Sequence, residues 1–191
     1  TPVRHLDALG VLDERLVAAH CVWVDDEDIA LLAARGTGVV HCPRSNLKLA
    51  SGVAPVPDML AAGVHVGLGT DGAASNNALD LVAEMQTAAL VHKGVRLDPL
   101  AVPAAEAVTM ATIGGARALG MDGLVGSLEP GKRADMVVVG LDDDRLTPLY
   151  DPVSHLAYAA AAADVRTVLV DGRVVMEDRR LLTVDEAEDR A

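Results

Sequence analysis

Apolar residues along the chain fall into short runs separated by longer polar-faced stretches. Residues 16–22 (Leu-Val-Ala-Ala-His-Cys-Val), 38–42 (Gly-Val-Val-His-Cys) and 64–69 (Val-His-Val-Gly-Leu-Gly) are nearly continuous apolar runs. Runs of this length predict strands buried on both faces. The stretches 2–9, 25–35, 55–62, 79–93 and 103–119 predict helices. Pro2 suits a first turn, Asp25 or Asp26 can cap, and Gly10, Gly36, Gly63, Gly94 and Gly120 stand just past the expected ends. Strands alternating with helices up to about residue 94 predict parallel βα units. After about residue 121 the pattern changes. Residues 134–139, 165–170 and 173–177 predict short strands, Asp171-Gly172 is a two-residue hairpin signal, and one helix is expected over 151–162. The expected class is therefore α/β, with a first unit over 1–120 and a β-rich segment over 121–191. The acidic residues 185–191 are expected to fray.

Composition narrows this picture. With 191 residues, 51% of them hydrophobic, the chain can bury a core, but aromatics are only 2% and Phe is absent, so Ala, Val and Leu must fill it. A net charge of −12 argues against nucleic acid and anionic membrane surfaces as partners, because both require a basic patch. No apolar run approaches the roughly 20 residues of a membrane span, and no signal-peptide pattern opens the chain. Two Cys do not make a disulfide framework, so a reducing cytoplasm is expected.

Each predicted parallel strand ends in one ionisable residue: His20, His41 and Asp71. The carboxyl ends of parallel strands are where α/β folds build sites. If His20 and His41 face inward, alternation turns Cys21 and Cys42 outward as small buried hydrophobes. Glycines at 67, 69 and 72 formally match a dinucleotide-binding fingerprint. Asp71 would then put a carboxylate against the pyrophosphate, and the acidic candidate downstream, Glu84, falls inside a helix, so this reading is rejected. A carboxylate exposed at the strand tip instead suits metal binding and proton transfer. Ser75, Asn76 and Asn77 would line a substrate loop or cap the next helix. Ser45, Asn46 and Lys48 follow His41 in a loop that reaches a ligand or simply forms a turn. His65 is expected to be structural.

Together these strings resemble one family. Ala-His-Cys-Val-Trp (19–23), His-Cys-Pro-Arg-Ser-Asn-Leu-Lys-Leu-Ala-Ser-Gly (41–52), Gly-Thr-Asp-Gly-Ala-Ala-Ser-Asn-Asn (69–77) and Gly-Ser-Leu-Glu-Pro-Gly-Lys-Arg-Ala-Asp (126–135) are similar to the amidohydrolase superfamily, in its purine- and pterin-deaminase branch. The resemblance implies strands six to eight of a TIM-like (β/α)8 barrel followed by part of a small β-sandwich, as the C-terminal part of a longer enzyme. It implies hydrolytic deamination of an aminopurine nucleoside such as S-adenosylhomocysteine or methylthioadenosine, with guanine or pterin deamination and triazine dechlorination as alternatives. Asp71 would bind the metal and act as general base. His20 would contact the attacking water or the substrate and lie at the metal. His41, Ser75 and Asn76 would contact the substrate. The cofactor implied is a divalent metal, foremost zinc, with iron or manganese as alternatives. The family's remaining metal ligands and catalytic glutamate have no counterpart here, so this chain alone is expected to lack a complete site, and an inert fragment with an assembly role is a further alternative. The expected partners are a small-molecule substrate, the N-terminal remainder of the enzyme and further copies in a homo-oligomer.

Overall fold

The computed structural model describes residues 1–185. Beyond Asp185, the tail expected to fray lies outside the described residues.

Three parallel strands, β1 (Val17–Ala19), β2 (Gly38–His41) and β3 (Val66–Leu68), form one sheet in chain order. Ala18 pairs with Val39 and Val39 with Val66, so the three ends lie side by side. Helix α1 (Pro2–Ala8) precedes them and α2 (Asp26–Arg35) links β1 to β2. The sequence explains α2 at both ends. Asp25 accepts from Asp28 N–H in a reciprocal capping box, and Gly36 closes the helix at φ 67°. Helix α4 (Val56–Ala61) leads into β3. The core is aliphatic, as composition required: Leu32, Val39, Val56, Met59, Ala88 and Met110 are all fully buried.

Four differences from the sequence reading have physical causes. Residues read as a loop form helix α3 (Pro43–Lys48), and part of the Gly-rich turn forms α5 (Ala73–Asn76). Both are too short to show a helical period. Helix α6 (Leu81–Arg96) runs through Gly94 and stops at Leu97, which adopts φ 53°. An exposed glycine in a helix costs only about 1 kcal/mol, less than the packing of α6 returns. The single helix expected over 103–119 is two, α7 (Ala104–Ala111) and α8 (Ile113–Ala118), broken at Thr112. The break lets α8 lie flush on the sheet. A Cβ on Gly38 would stand 2.0 Å from the Ala118 carbonyl oxygen, and one on Gly67 2.7 Å from Gly115 Cα. Those glycines are there for close backbone approach.

The second sheet is antiparallel, in the order β4 (Met136–Val139), β5 (Val165–Val170), β6 (Arg173–Glu177) and β7 (Arg180–Leu181). The expected hairpin joins β5 to β6, with Asp171 at φ 51° and Gly172 at φ 77°, the two positive values a type I′ turn needs. Helix α9 (Pro152–Tyr158), though it follows residue 121, packs on α6 and α7 of the parallel-sheet unit. Gln86 on α6 donates to the Tyr158 carbonyl at 2.6 Å. Among the described residues, no helix is long and apolar enough to cross a membrane.

Candidate functional site

The site is built where β1 and β3 end. His20 follows β1 with φ 68°, and Asp71 follows β3 with φ 59°. Side chains other than glycine rarely adopt this left-handed region, at about 1–2 kcal/mol per residue. The two turns aim the side chains at one another: His20 Nε2 lies 3.9 Å from Asp71 Oδ2. Both remain partly open to solvent.

Helix α3, leaving β2, grips both groups with consecutive residues. The Ser45 hydroxyl donates to Asp71 Oδ2 at 2.6 Å, and His20 Nδ1 donates to Asn46 Oδ1 at 2.8 Å. From α5, the Ser75 hydroxyl donates to the same Asp71 oxygen at 2.6 Å. The two hydroxyls, Ser45 foremost, and the Gly72 backbone N–H hold the Asp71 carboxyl down to about 2. It is therefore ionised at any physiological pH. Ser45 and Asn46 are both buried, and Asn46 Nδ2 has no partner among the described residues. An unmatched buried amide donor costs about 1–3 kcal/mol.

A second layer lies beneath. Glu84 of α6 is fully buried. Its Oε2 accepts from the Arg44 backbone N–H at 3.0 Å and its Oε1 from Asn76 Nδ2 at 2.6 Å. Asn76 Nδ2 also donates to the Thr70 carbonyl at 2.6 Å. One carboxylate thus ties the β2–α3 loop and the β3–α5 turn to the same helix. Burial raises the Glu84 carboxyl, against these donors. Sequence reasoning weighed Glu84 only as a dinucleotide contact and missed this role. The signal was an acid in the first turn of an otherwise apolar helix face.

His41 is placed differently from His20. It is still within β2, so alternation puts it on the face of Val39, and it is buried. His20, by contrast, sits just past its strand in a left-handed turn, so strand alternation does not set its direction. His41 Nε2 meets His92 Nε2 of α6 at 3.2 Å. Burial drives the His41 imidazole down to about 3 and that of His92 to about 4. The neighbouring imidazole of His92, and after it that of His20, adds to the effect at His41, and Arg96 and Lys93 add to it at His92. Both folded values lie below the ordinary 6.5, so the unfolded chain binds more protons below that pH. Stability is present above about 6.5 and is lost as pH falls toward the folded values. We expect unfolding free energy to drop by about 2–4 kcal/mol between pH 7 and 5. Urea titrations at the two pH values check this, with His92→Leu flattening the slope.

The other candidates are quickly placed. Ser75 stands at the rim, half-buried, whereas Asn76 is turned inward with both amide hydrogens occupied. Lys48 reaches the Ala74 carbonyl at 2.8 Å and the Asn77 side chain, tying α3 to α5. His65 is exposed. Cys21 and Cys42 are free, and burial raises both thiols to about 11, so they behave as hydrophobes. Trp23 is 84% exposed, in the loop after His20.

A parallel sheet whose carboxyl edge presents an imidazole to an ionised carboxylate defines an α/β scaffold carrying its polar site in the usual place. The sequence model of the Amidohydrolase family matches residues 1–175, and the chain belongs to that family. It is 56% identical over 191 residues to a 5-methylthioadenosine/S-adenosylhomocysteine deaminase of Syntrophobacter fumaroxidans, covering 99% of this chain and 44% of that protein. A protein of the same name from Pelotomaculum thermopropionicum is 55% identical over 186 residues, covering 97% of this chain and 43% of its own. The chain thus spans less than half the length of these curated relatives. Among solved structures, an adenosine deaminase from Xanthomonas campestris with bound zinc superposes with a TM-score of 0.95 at 44% identity, over 98% of this chain and 43% of that one. The atrazine chlorohydrolase of Arthrobacter aurescens, complexed with zinc, gives 0.91 at 33%, over 98% and 42%.

Proposed function

We propose that this chain is the C-terminal part of a metal-dependent aminohydrolase that removes ammonia from an aminopurine nucleoside, S-adenosylhomocysteine or methylthioadenosine foremost. Its three parallel strands are read as strands six to eight of an eight-stranded barrel. Residues 1–120 are read as barrel, and the described residues after 121, apart from α9 against α6 and α7, as an accompanying β-sandwich. The observation that carries the reading is the approach of His20 and Asp71, 3.9 Å apart across the carboxyl ends of the two outer strands, β1 and β3. Deaminase relatives at 55–56% identity support the substrate class over the chlorohydrolase, at 33%.

The donor set fits a divalent ion in part. Imidazole and carboxylate are ordinary zinc ligands, and His20 and Asp71 are the side chains here that would help to hold one. Among the described residues, however, no group of three or more His, Cys, Asp or Glu side chains converges. A catalytic zinc needs about three protein ligands. His20 and Asp71 are therefore read as part of a set completed by groups beyond the described residues, and this chain alone is read as inactive. When bound, the ion makes water acidic enough to lose a proton near neutral pH. Asp71 accepts that proton and passes it toward the departing amine. Its two serine donors keep the carboxylate ionised and oriented before it acts. With Nδ1 on Asn46, His20 has Nε2 alone to offer, either to the ion or to the attacking oxygen. Ser75 lines the rim toward substrate, while His41 and Asn76 support the floor.

The test is ammonia release. The enzyme comprising this chain and its upstream barrel, loaded with zinc, is expected to deaminate S-adenosylhomocysteine or methylthioadenosine, and this chain alone to release none. Absence of ammonia from every aminopurine and pterin offered to the zinc-loaded enzyme overturns the reading.

A further inference from the structure

We infer that Asn46 is a positioning residue that sets the tautomer of His20, holding its proton on Nδ1 and leaving the Nε2 lone pair directed to the Asp71 side. This rests on the role proposed above for His20, which a wrong tautomer would block. The bond is direct: His20 Nδ1 lies 2.8 Å from Asn46 Oδ1. Carbonyl oxygen only accepts, so the imidazole nitrogen facing it must carry hydrogen. The other nitrogen, Nε2, faces Asp71 Oδ2 at 3.9 Å. A ring whose Nε2 is bare can accept a hydrogen bond or bind a cation there, and a ring with Nε2–H can do neither.

Asn46 has no other evident reason to be an amide. Its side chain is 2% exposed and its Nδ2 finds no partner among the described residues. His20 is the one partner its side chain has among them. An apolar side chain of similar size would fill the space without leaving a donor unmatched, so the amide weakens the fold locally. Its return is the direction it gives His20. Next to it, Ser45 holds Asp71, so two adjacent residues of α3 hold the two opposed groups.

The experiment reads the tautomer itself. The enzyme, with its upstream barrel and free of metal, is labelled with 15N-histidine, and ring nitrogens are correlated with ring protons by NMR. The His20 signals are assigned by their loss in His20→Gln. The wild-type ring is expected as the Nδ1–H form. An Nε2–H ring in the wild type overturns the inference, because the amide must then be turned the other way. Asn46→Asp, which keeps an oxygen at that place, is expected to preserve Nδ1–H. Asn46→Leu is expected to lose it, to cut kcat at least tenfold, and to leave the melting temperature unchanged or higher. An unaltered tautomer in Asn46→Leu also overturns the inference. Should that variant not fold, the wild-type and Asn46→Asp spectra decide alone. If the tautomer is as expected but no variant or wild-type enzyme releases ammonia, the proposed function fails and this inference stands.

Discussion

Replacing Asp71 by asparagine is expected to lower zinc-dependent ammonia release of the complete enzyme by on the order of 10³-fold or more. Asparagine keeps the size of the side chain and can still accept from Ser45 and Ser75 through its oxygen. It loses the negative charge and the ability to take a proton. Two effects therefore coincide: weaker hold on a cation and no acceptor for the proton of water. Steady-state kinetics with measured zinc content separate them. Retention of activity within about tenfold would show that Asp71 is not the base. Neither serine alone should matter as much, since both donate to the same oxygen and either can remain when the other is removed.

The second large effect is on folding. Glu84→Ala is expected to destabilise the protein by about 2–4 kcal/mol. It leaves the Arg44 backbone N–H without its carboxylate, deprives Asn76 of one acceptor, and opens a void under two loops. Urea denaturation gives the size of the loss. Amide hydrogen exchange gives its place, with faster exchange at Arg44 as the specific sign. A loss below about 0.5 kcal/mol would mean that the buried carboxylate is not what joins those loops. Glu84→Gln should be milder, because one of its two terminal atoms can still accept.

The strand-end residues could be read from the sequence because they interrupt apolar runs at a place where parallel folds build sites. His20 and Asp71 carry that signal and do come together. The family resemblance also stood on strings that span the chain. What could not be read were contacts between segments distant in sequence and hidden in side-chain detail. Nothing in the spacing of His41 and His92, 51 positions apart, announces that they meet. Asn46 sits in a six-residue helix begun by a proline, which reads as a turn because too few residues are present to show a period. The break at Thr112 was invisible because Gly114 and Gly115 look like weak spots within a helix, while their use is to let the helix touch strands. Glu84 was legible only as an oddity, an acid among apolar neighbours.

His20 and Asp71 both hold dihedral angles that L-amino acids avoid. Glycine at either place would relieve the backbone and remove a side chain that the proposed chemistry uses. The readiest sources of thermal robustness at this edge of the sheet are thus closed to any lineage or engineer who wants the chemistry. Robustness has to be sought elsewhere, in the aliphatic interior or the second sheet, while these two positions stay uncomfortable by necessity.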